Sequence, residues 1–195
     1  MHILKRSELV DVPWKNGGGI TRKIATGLSG DRVAWTISRA DVVQDGPFSD
    51  FAGMMRVLTV VSGGAMDLLA PNDKMAALMW EPVRFDGALN IKSRLIDGPL
   101  TDLNLMFDPN LCEGTVKAWR DPFKGLVARP EKGLLAFHIL AGAPQINAAF
   151  LTVGDSVFID GDDAALNIGE GDAVLEIRLD YGDHRDAIKL CIASL

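Results

Sequence analysis

Apolar and polar residues alternate with a period of two in several short segments of this chain. Residues 33–40 place Trp35 and Ile37 on one face of a predicted strand and polar side chains, Ser38 among them, on the other. Residues 54–61 are almost continuously apolar, which is typical of a strand covered on both faces. No helical periodicity is sustained over three turns anywhere in the sequence. The pattern therefore predicts a chain built of strands.

A further alternating segment, residues 102–107, separates two kinds of side chain. Leu103 and Phe107 belong to its apolar face, whereas Asp102 and Asn104 share the other face. Polar groups on the inward face of a strand are costly unless they are satisfied. We therefore expect this polar pair to orient a small polar ligand, with satisfaction by a neighbouring loop or charge as the alternative.

Turn signals separate these segments at short intervals. They are Asp45-Gly46-Pro47, Ser62-Gly63-Gly64, Asp86-Gly87 and Asp97-Gly98-Pro99. Many short strands at close spacing predict an all-β sandwich or barrel. Residues 108–130 contain three prolines and little periodicity, so we expect them to connect two β-units, residues 1–108 and 109–195.

The composition narrows the class of protein. The 195 residues are 48% hydrophobic and 24% charged, as in an ordinary globular protein. A net charge of −6 without any basic run argues against nucleic-acid binding. No apolar stretch reaches the roughly 18 residues of a membrane span, and the charged N-terminus has no signal-peptide core. Together with Cys112 and Cys191, which are expected as free thiols, these features predict a cytoplasmic protein.

Residues 44–63 join a turn rich in glycine, proline and aspartate to an apolar strand whose only charge is Arg56. This stretch resembles the first cupin motif, in which two histidines and a glutamate bind a metal at the mouth of a small β-barrel. Aligned on Gly63, the histidine positions fall on Ser49 and Phe51, and the glutamate position falls on Arg56. None of the three is a suitable metal ligand. The resemblance therefore implies a site that excludes a metal and attracts an anion.

Arg56 has two interpretations. Leu58 and Val60 share its face of the strand, so its guanidinium is expected in a largely apolar cavity. Because an unpaired buried cation is costly, an anion should meet it. That anion is either a ligand carboxylate held bidentately or the side chain of Asp102, and both alternatives stay open. Phe48 and Phe51 are expected either to wall the same cavity or to belong to the core.

Three sequence blocks resemble the HutD/Ves family. They are Pro13–Arg22, Asp45–Arg56 and Asp97–Met106, in the same order as in the family. The resemblance implies a cytoplasmic bicupin, meaning two cupin barrels in one chain, without a bound metal or other cofactor. It also implies a regulator more than an enzyme, because HutD proteins are encoded with histidine-utilisation enzymes and are regarded as sensors of urocanate or formylglutamate.

The sequence departs from the family pattern at two places. Ala52 stands where a proline often precedes the glycine. Phe107-Asp108 stands where an arginine often follows the Asn-x-Met triplet. The second departure removes a cation near the expected cavity, and the identity of the ligand is therefore left open.

The first family block contains the run Lys15-Asn16-Gly17-Gly18-Gly19. Consecutive glycines can expose backbone N–H groups to an anion, but here the lysine precedes the glycines, unlike in a P-loop. Physical chemistry alone therefore favours a turn that delivers the N-terminal strand to the sheet. The family resemblance implies in addition that Lys15, Asn16 and Arg22 line one edge of the cavity.

The leading hypothesis is a metal-free protein that binds a small carboxylate. A second hypothesis is an isomerase or lyase that uses Asp102 or Lys15 as a general base, although the sequence shows no acid–base pair. A scaffold is the third, and a homodimer is compatible with the sequence because the edges of cupin barrels often pair. The histidines, His2, His138 and His184, are too dispersed for a metal site.

Overall fold

The computed structural model describes residues 1–182 and 188–193, and within them the chain is almost entirely β-structure. The first half begins with a short strand and a single 3-10 turn at Arg6–Glu8. Its strands are β1 (His2–Leu4), β2 (Val12–Pro13), β3 (Gly19–Ser29), β4 (Arg32–Val42), β5 (Gly46–Pro47), β6 (Met55–Ala70), β7 (Asp73–Ala77), β8 (Val83–Asp86) and β9 (Lys92–Phe107).

The second half continues with shorter strands. They are β10 (Glu113–Trp119), β11 (Phe123–Val127), β12 (Gly133–Ala141), β13 (Gln145–Ile146), β14 (Ala149–Phe150), β15 (Ser156–Ile159), β16 (Ala164–Ile168), β17 (Ala173–Asp180) and β18 (Ile188–Ile192). In the described residues no helix is long and apolar enough to cross a membrane.

The first half is organised by a 9-stranded antiparallel sheet. Its main path runs β18-β3-β4-β9-β6-β7, with β2 paired to β3, β5 to β9 and β8 to β6. One face of this sheet packs around a cluster that we call the N-terminal interior. It consists of Val42, Leu58, Val60, Met66, Leu68, Ala77, Phe85, Ile91 and Leu100.

The two longest strands, β6 and β9, bend near the glycines at residues 63, 64 and 98. The pairing register shifts between Val60 and Ser62 and again between Gly63 and Ala65, which marks bulges. Gly63 has a φ of +91°, and a Cβ there would lie 2.5 Å from the Pro99 carbonyl oxygen. Only glycine fits such a position. The bend lets residues before and after it pack into the same N-terminal interior.

The second half forms two further sheets that face each other. Their orders are β1-β15-β12-β17-β10 and β11-β16-β13-β14. They enclose a cluster that we call the C-terminal interior. It consists of Val127, Leu135, Phe137, Ile139, Ile146, Leu151, Val157, Ile159, Ala164, Leu166, Ile168 and Val174.

A third cluster joins the two halves, because the outer face of the 5-stranded sheet packs on the outer face of the 9-stranded sheet. Trp35 and Phe107 enter it from one side, and Leu175 enters it from the other. The indole nitrogen of Trp35 also donates to the Tyr181 hydroxyl at 3.1 Å. Each terminus crosses over as well: β1 pairs with β15, and β18 pairs with β3. The two halves are therefore held by both packing and backbone pairing.

The structure confirms the all-β prediction but corrects two details. Residues 108–130 are not a plain connector, since they contain β10 and β11. Their prolines fall between strands, where a missing N–H costs nothing, so the prolines obscured the strands in the sequence. The turn signals at residues 62–64 and 97–99 lie inside β6 and β9 and act as bends. The division into two cupin barrels at residue 108 stays a prediction.

Candidate ligand-binding site

A cavity of about 560 Å³ opens against the 9-stranded sheet, beside the N-terminal interior. The sheet supplies its floor, and the segments around β2 and β5 supply its rim. Its lining consists of Pro13, Trp14, Lys15, Asn16, Thr21, Ser38, Ala40, Pro47, Phe48, Ser49, Phe51, Arg56, Asp102, Asn104 and Met106.

Strand register explains why the polar floor residues meet. On β9, Asn104 lies opposite Ser38 of β4 and opposite Leu58 of β6, while Met106 lies opposite Arg56. Because side chains alternate along a strand, residues separated by two positions point to the same side of the sheet. The polar side chains of three neighbouring strands therefore converge on one cavity, as the alternation in residues 102–107 indicates.

Arg56 is the centre of the site. Its side chain is buried, with 6% of its surface exposed, and its Nη2 donates to the Asn104 side-chain oxygen at 2.8 Å. Its carbon Cζ lies 4.8, 5.4 and 5.1 Å from the ring centroids of Phe48, Phe51 and Phe85. Such distances allow cation–π attraction on three sides. Arg56 is thus a buried cation in an aromatic cage.

The charge of Arg56 is not matched by a direct ion pair in the part of the chain that the structure describes. Its Nε is buried and has no hydrogen-bond partner. Burial lowers the pKa of Arg56 to about 10, against the opposing attraction of Asp102. The guanidinium therefore remains a cation near neutral pH and keeps free hydrogen-bonding capacity towards the cavity.

The side chain of Asn104 links Asp102 and Arg56 by hydrogen bonds. The Asn104 side-chain nitrogen donates to the Asp102 carboxylate at 2.5 Å, while its oxygen accepts from Arg56. Asp102 has 2% of its surface exposed, and burial raises its pKa to about 7, with Arg56 opposing that shift. The internal bridge that the sequence left open as an alternative is therefore indirect, with an amide between the two charges.

The glycine-rich loop over the cavity is a closed turn. The backbone N–H of Trp14 donates to the Gly19 carbonyl at 2.9 Å, and that of Gly17 donates to the Trp14 carbonyl at 3.0 Å. The Asn16 side-chain oxygen accepts from the Gly18 N–H at 3.0 Å. Because these groups satisfy one another, the loop does not present them to an anion, which agrees with the turn interpretation.

The same loop carries Lys15 and Asn16 to the rim of the cavity. Lys15 is exposed, and among the described residues it has no ion-pair partner. Ser49 lies exposed on the opposite rim, and Phe48 is half-buried between the cavity and the N-terminal interior. Eight of the nine residues expected from the sequence therefore surround one space.

Arg22 is the ninth, and the structure places it outside the lining. Its Nε donates to Asp11 at 2.6 Å, and its Nη1 donates to Asp41 at 2.7 Å. These two hydrogen bonds, with that of Asp41 the stronger cause, raise the pKa of Arg22 above its ordinary value. These contacts hold β3 against its neighbouring segments. Arg22 therefore does not line the edge of the cavity, contrary to what the family resemblance implied.

Phe85 was missed by the sequence analysis although it forms one wall of the arginine cage. It lies on β8, directly opposite Arg56 in the β6–β8 pairing. Alternation within residues 83–86 signals a strand but gives no hint of which strand it joins. Thr21 was missed for the same reason, because its place in the lining depends on pairing. Met106 is different, since alternation along residues 102–107 already puts it on the face of Asp102 and Asn104.

No group of three or more histidine, cysteine, aspartate or glutamate side chains within the described ranges, 1–182 and 188–193, is placed to hold a metal ion. His138 is buried in the second half and shares a hydrogen bond of 2.9 Å with the Ser156 hydroxyl. His2 is exposed beside Asp160 at the N-terminus. His184 lies outside the described residues.

Comparison with solved structures identifies the fold as a cupin fold. The bacterial pirin YhhW from Escherichia coli, solved in complex with nickel(II), matches with a TM-score of 0.64 at 11% identity, over 90% of this chain and 97% of the pirin. An oxalate decarboxylase matches with the same TM-score at 8% identity, over 93% and 78% of the two chains. Identities this low carry the fold alone.

Closer relatives give the family. A protein described as a 21.2 kDa protein in the hutC 3′ region of Pseudomonas putida is 28% identical over 174 residues, which is 86% of this chain and 91% of the relative. The protein Ves of Citrobacter koseri is 32% identical over 142 residues, or 71% and 72% of the two chains. HutD from Pseudomonas fluorescens SBW25 matches in structure with a TM-score of 0.80 at 28% identity, over 93% and 98%. The HutD family model matches residues 6–175, and the chain therefore belongs to the HutD family.

Proposed function

We propose that this protein binds a small carboxylate of histidine degradation in the cavity and acts as a cytoplasmic sensor that regulates histidine utilisation. The observation that carries the proposal is Arg56, a buried cation that faces an open cavity and has no direct acid partner within residues 1–182 and 188–193. The names of two relatives, one in a hutC region and one called HutD, supply the metabolic context.

The choice of a carboxylate follows from the chemistry around Arg56. Taking a guanidinium out of water is expensive, and an anion that arrives in the cavity offsets that cost. A planar carboxylate can accept two parallel hydrogen bonds from a guanidinium. The three phenylalanine rings hold the guanidinium in place and keep water from its faces. An anion at the open edge of Arg56 thus meets a preorganised donor.

The rest of the affinity must come from the walls. One charge-assisted hydrogen bond contributes about 1.5–3 kcal/mol net, whereas micromolar affinity needs about 8 kcal/mol. Trp14, Phe48 and Met106 provide apolar surface in the lining. Asn104 and Ser38 supply the polar atoms that can orient the ligand. A ligand with a carboxylate on a short carbon skeleton matches this combination of one buried cation, apolar walls and a few polar atoms.

Between the two expected ligands, the charges favour formylglutamate. The floor offers one cation, Arg56, and the rim offers a second, Lys15. Formylglutamate has two carboxylates and can meet both cations, whereas urocanate has one carboxylate and an imidazole ring. Lys15 is exposed, so its contribution is expected to be small and sensitive to salt.

Isothermal titration calorimetry tests the proposal directly. Wild-type protein is titrated with formylglutamate and, separately, with urocanate, and the Arg56→Ala variant is titrated in parallel. We expect micromolar binding of at least one acid by the wild type and loss of that binding in the variant. If neither acid binds either protein, the histidine-sensor function is excluded. Glutarate, which keeps both carboxylates but lacks the formylamide, serves as the matched ligand control.

A metal-independent enzyme is the second candidate, and Asp102 is the observation that favours it. A carboxylate with a pKa of about 7 beside a ligand cavity can accept a proton at neutral pH. Incubation of the purified protein with either acid, followed by NMR, would reveal turnover. Product formation that disappears in Asp102→Asn would establish the enzyme, whereas binding without turnover supports the sensor.

A further inference from the structure

A second arginine, outside the lining of the cavity, is buried and has no hydrogen-bond or ion-pair partner in the described part of the chain. Arg39 lies on β4 next to Ser38, so its side chain points to the opposite side of the sheet, towards the second half of the protein. It has 5% of its surface exposed. Its Nε is buried and unbonded, and among the described residues no acceptor or carboxylate contacts its guanidinium.

The immediate neighbours of Arg39 are a glycine and another cation. Gly154 has a φ of +91°, and the position that its Cβ would take lies 2.9 Å from Arg39 Nη1 and 2.6 Å from Arg6 Cδ. A side chain at residue 154 would collide with both arginines. The missing side chain leaves Arg6 and Arg39 side by side above the backbone of this loop.

The nearby carboxylates are already engaged by other donors. Asp155 accepts from Lys5 Nζ at 2.9 Å, from the Arg6 backbone N–H at 3.0 Å, and from the backbone and hydroxyl of Thr152. Asp41 accepts from Arg22 and from the Thr101 hydroxyl. Neither acid accepts a hydrogen bond from the side chain of Arg6 or Arg39, so each acts on this pair only through its charge from a distance.

The pKa values of two buried groups are shifted near this pair. Burial, and after it the charge of Arg6, lowers the pKa of Arg39 below its ordinary value, while the charge of Asp41 opposes that shift. Burial together with the charge of Arg39 lowers the pKa of His138 to about 3, so that imidazole stays neutral. Water could satisfy the free N–H groups of Arg39, but it would not neutralise their charge.

We propose that Arg6 and Arg39 form a second anion site that binds a small oxyanion, such as inorganic phosphate, at the junction of the two halves. Arg39 provides the buried base of the site, and Arg6 covers it from the N-terminal segment. Arg6 also borders a surface recess that is lined by Lys5 and Ser7 and, on its other side, by Asp155, so an anion can reach Arg6 from solvent. Because Arg39 belongs to the 9-stranded sheet and Arg6 belongs to the N-terminal segment that lies against Gly154 of the second half, an anion bound by both arginines ties these parts together.

Titration with inorganic phosphate, monitored by NMR, tests the site. The Arg39 Nε–H and Gly154 backbone signals of the full chain are followed against sodium chloride at equal ionic strength. We expect a saturable shift of both signals in the wild type. Arg6→Gln should weaken phosphate binding about tenfold, the loss of one charge-assisted hydrogen bond, and Arg39→Gln should abolish it.

Three comparisons make the outcome decisive. Arg56→Gln should leave the phosphate-dependent shifts of the Arg39 and Gly154 signals unchanged, because its cation belongs to the other cavity. Arg120→Gln, at an exposed arginine that has no hydrogen-bond or ion-pair partner among the residues described, should also leave binding unchanged. The proposal is overturned if chloride reproduces the shifts, if Arg56→Gln alone removes them, or if Arg120→Gln weakens binding as much as Arg6→Gln. Arg6 is exposed, so its variant remains informative even if Arg39→Gln does not fold.

Discussion

The two interiors of this protein are built from similar antiparallel strands but are filled differently. The C-terminal interior is closed by twelve buried apolar side chains from both of its sheets. The apolar side chains of the N-terminal interior do not fill the whole space beside the 9-stranded sheet. In the remaining part, Arg56, Asp102 and Asn104 face a cavity. The difference lies in side-chain size and polarity more than in the strand framework.

This contrast separates what stabilises the protein from what can bind a ligand. Apolar side chains in a closed interior contribute about 25 cal/mol for each Å² removed from water. A buried cation, a buried carboxyl and an amide contribute little stability and leave polar atoms in need of partners. We therefore expect substitutions in the C-terminal interior to change folding and those at the polar floor to change binding.

The largest effect is expected for Phe137→Ala. Phe137 is fully buried in the C-terminal interior, so its truncation removes transfer free energy and leaves a void. The free energy of unfolding should fall by about 3–5 kcal/mol, measured by urea denaturation. Phe150→Ala is the matched control, because Phe150 is 74% exposed and its loss should change stability by less than about 0.5 kcal/mol.

The same variant also tests whether the two interiors are independent. Under conditions where Phe137→Ala remains folded, its affinity for the carboxylate that binds the wild type should be unchanged. A loss of affinity comparable to that of an Arg56 substitution would show that the C-terminal interior shapes the cavity, and the contrast drawn between them would no longer hold.

Arg56→Met should weaken ligand binding more than it changes stability, which is the reverse of the effect expected for Phe137→Ala. Methionine keeps most of the apolar volume inside the phenylalanine cage but removes the charge. Affinity for the carboxylate should fall by about 10- to 150-fold, corresponding to about 1.5–3 kcal/mol, in a calorimetric titration. Arg120→Gln, an exposed cation far from the lining, should bind normally. Unchanged affinity in Arg56→Met would mean that the ligand does not use the guanidinium.

Much of the contrast could be anticipated from the sequence because alternation reports which side chains share a face. The period of two in residues 102–107 placed Asp102 and Asn104 together, and the lone charge among residues 54–61 singled out Arg56. Family blocks added Lys15 and Asn16 at the rim. Each of these signals lies within one segment, so it can be interpreted without knowing which strands pair.

The remaining parts depended on contacts between distant segments. Phe85 joins the cage only because β8 pairs with β6. Arg22 lies outside the cavity because the fold brings Asp11 and Asp41 into ion pairs with it. Gly63 and Gly64 read as a turn, yet a partner strand holds them in a bend inside β6. The pattern within a single segment does not indicate which strand it pairs with, and for this reason the sequence did not predict these three features.

Asp102→Asn should remove a pH dependence of stability. Burial raises the pKa of Asp102 from its ordinary value of 3.8 to about 7. The folded state therefore holds this proton more tightly than the unfolded chain, and the resulting stability is fully present below about pH 4 and is lost as the pH rises through 7. Between pH 5 and pH 8 the free energy of unfolding of the wild type should fall by about 3 kcal/mol relative to the variant.

Urea denaturation of both proteins at several pH values measures this difference. Asp121→Asn is the control for removing an exposed carboxylate and should follow the wild type across the range. Parallel curves for the wild type and Asp102→Asn would show that Asp102 is not an acid held protonated by burial. The basis for a base near neutral pH in this cavity would then disappear.

The smallest effect is expected at the rim, where Lys15→Ala removes an exposed cation. Exposed charge pairs contribute about 0.2–1 kcal/mol, so affinity for formylglutamate should fall about two- to fivefold at low salt and by less at 0.5 M sodium chloride. Urocanate, with one carboxylate already held by Arg56, should bind Lys15→Ala and the wild type equally. Lys124→Ala, another exposed lysine, should affect neither ligand. An equal loss for both acids would place their shared carboxylate at the rim and would move the anion-binding centre of the cavity away from Arg56.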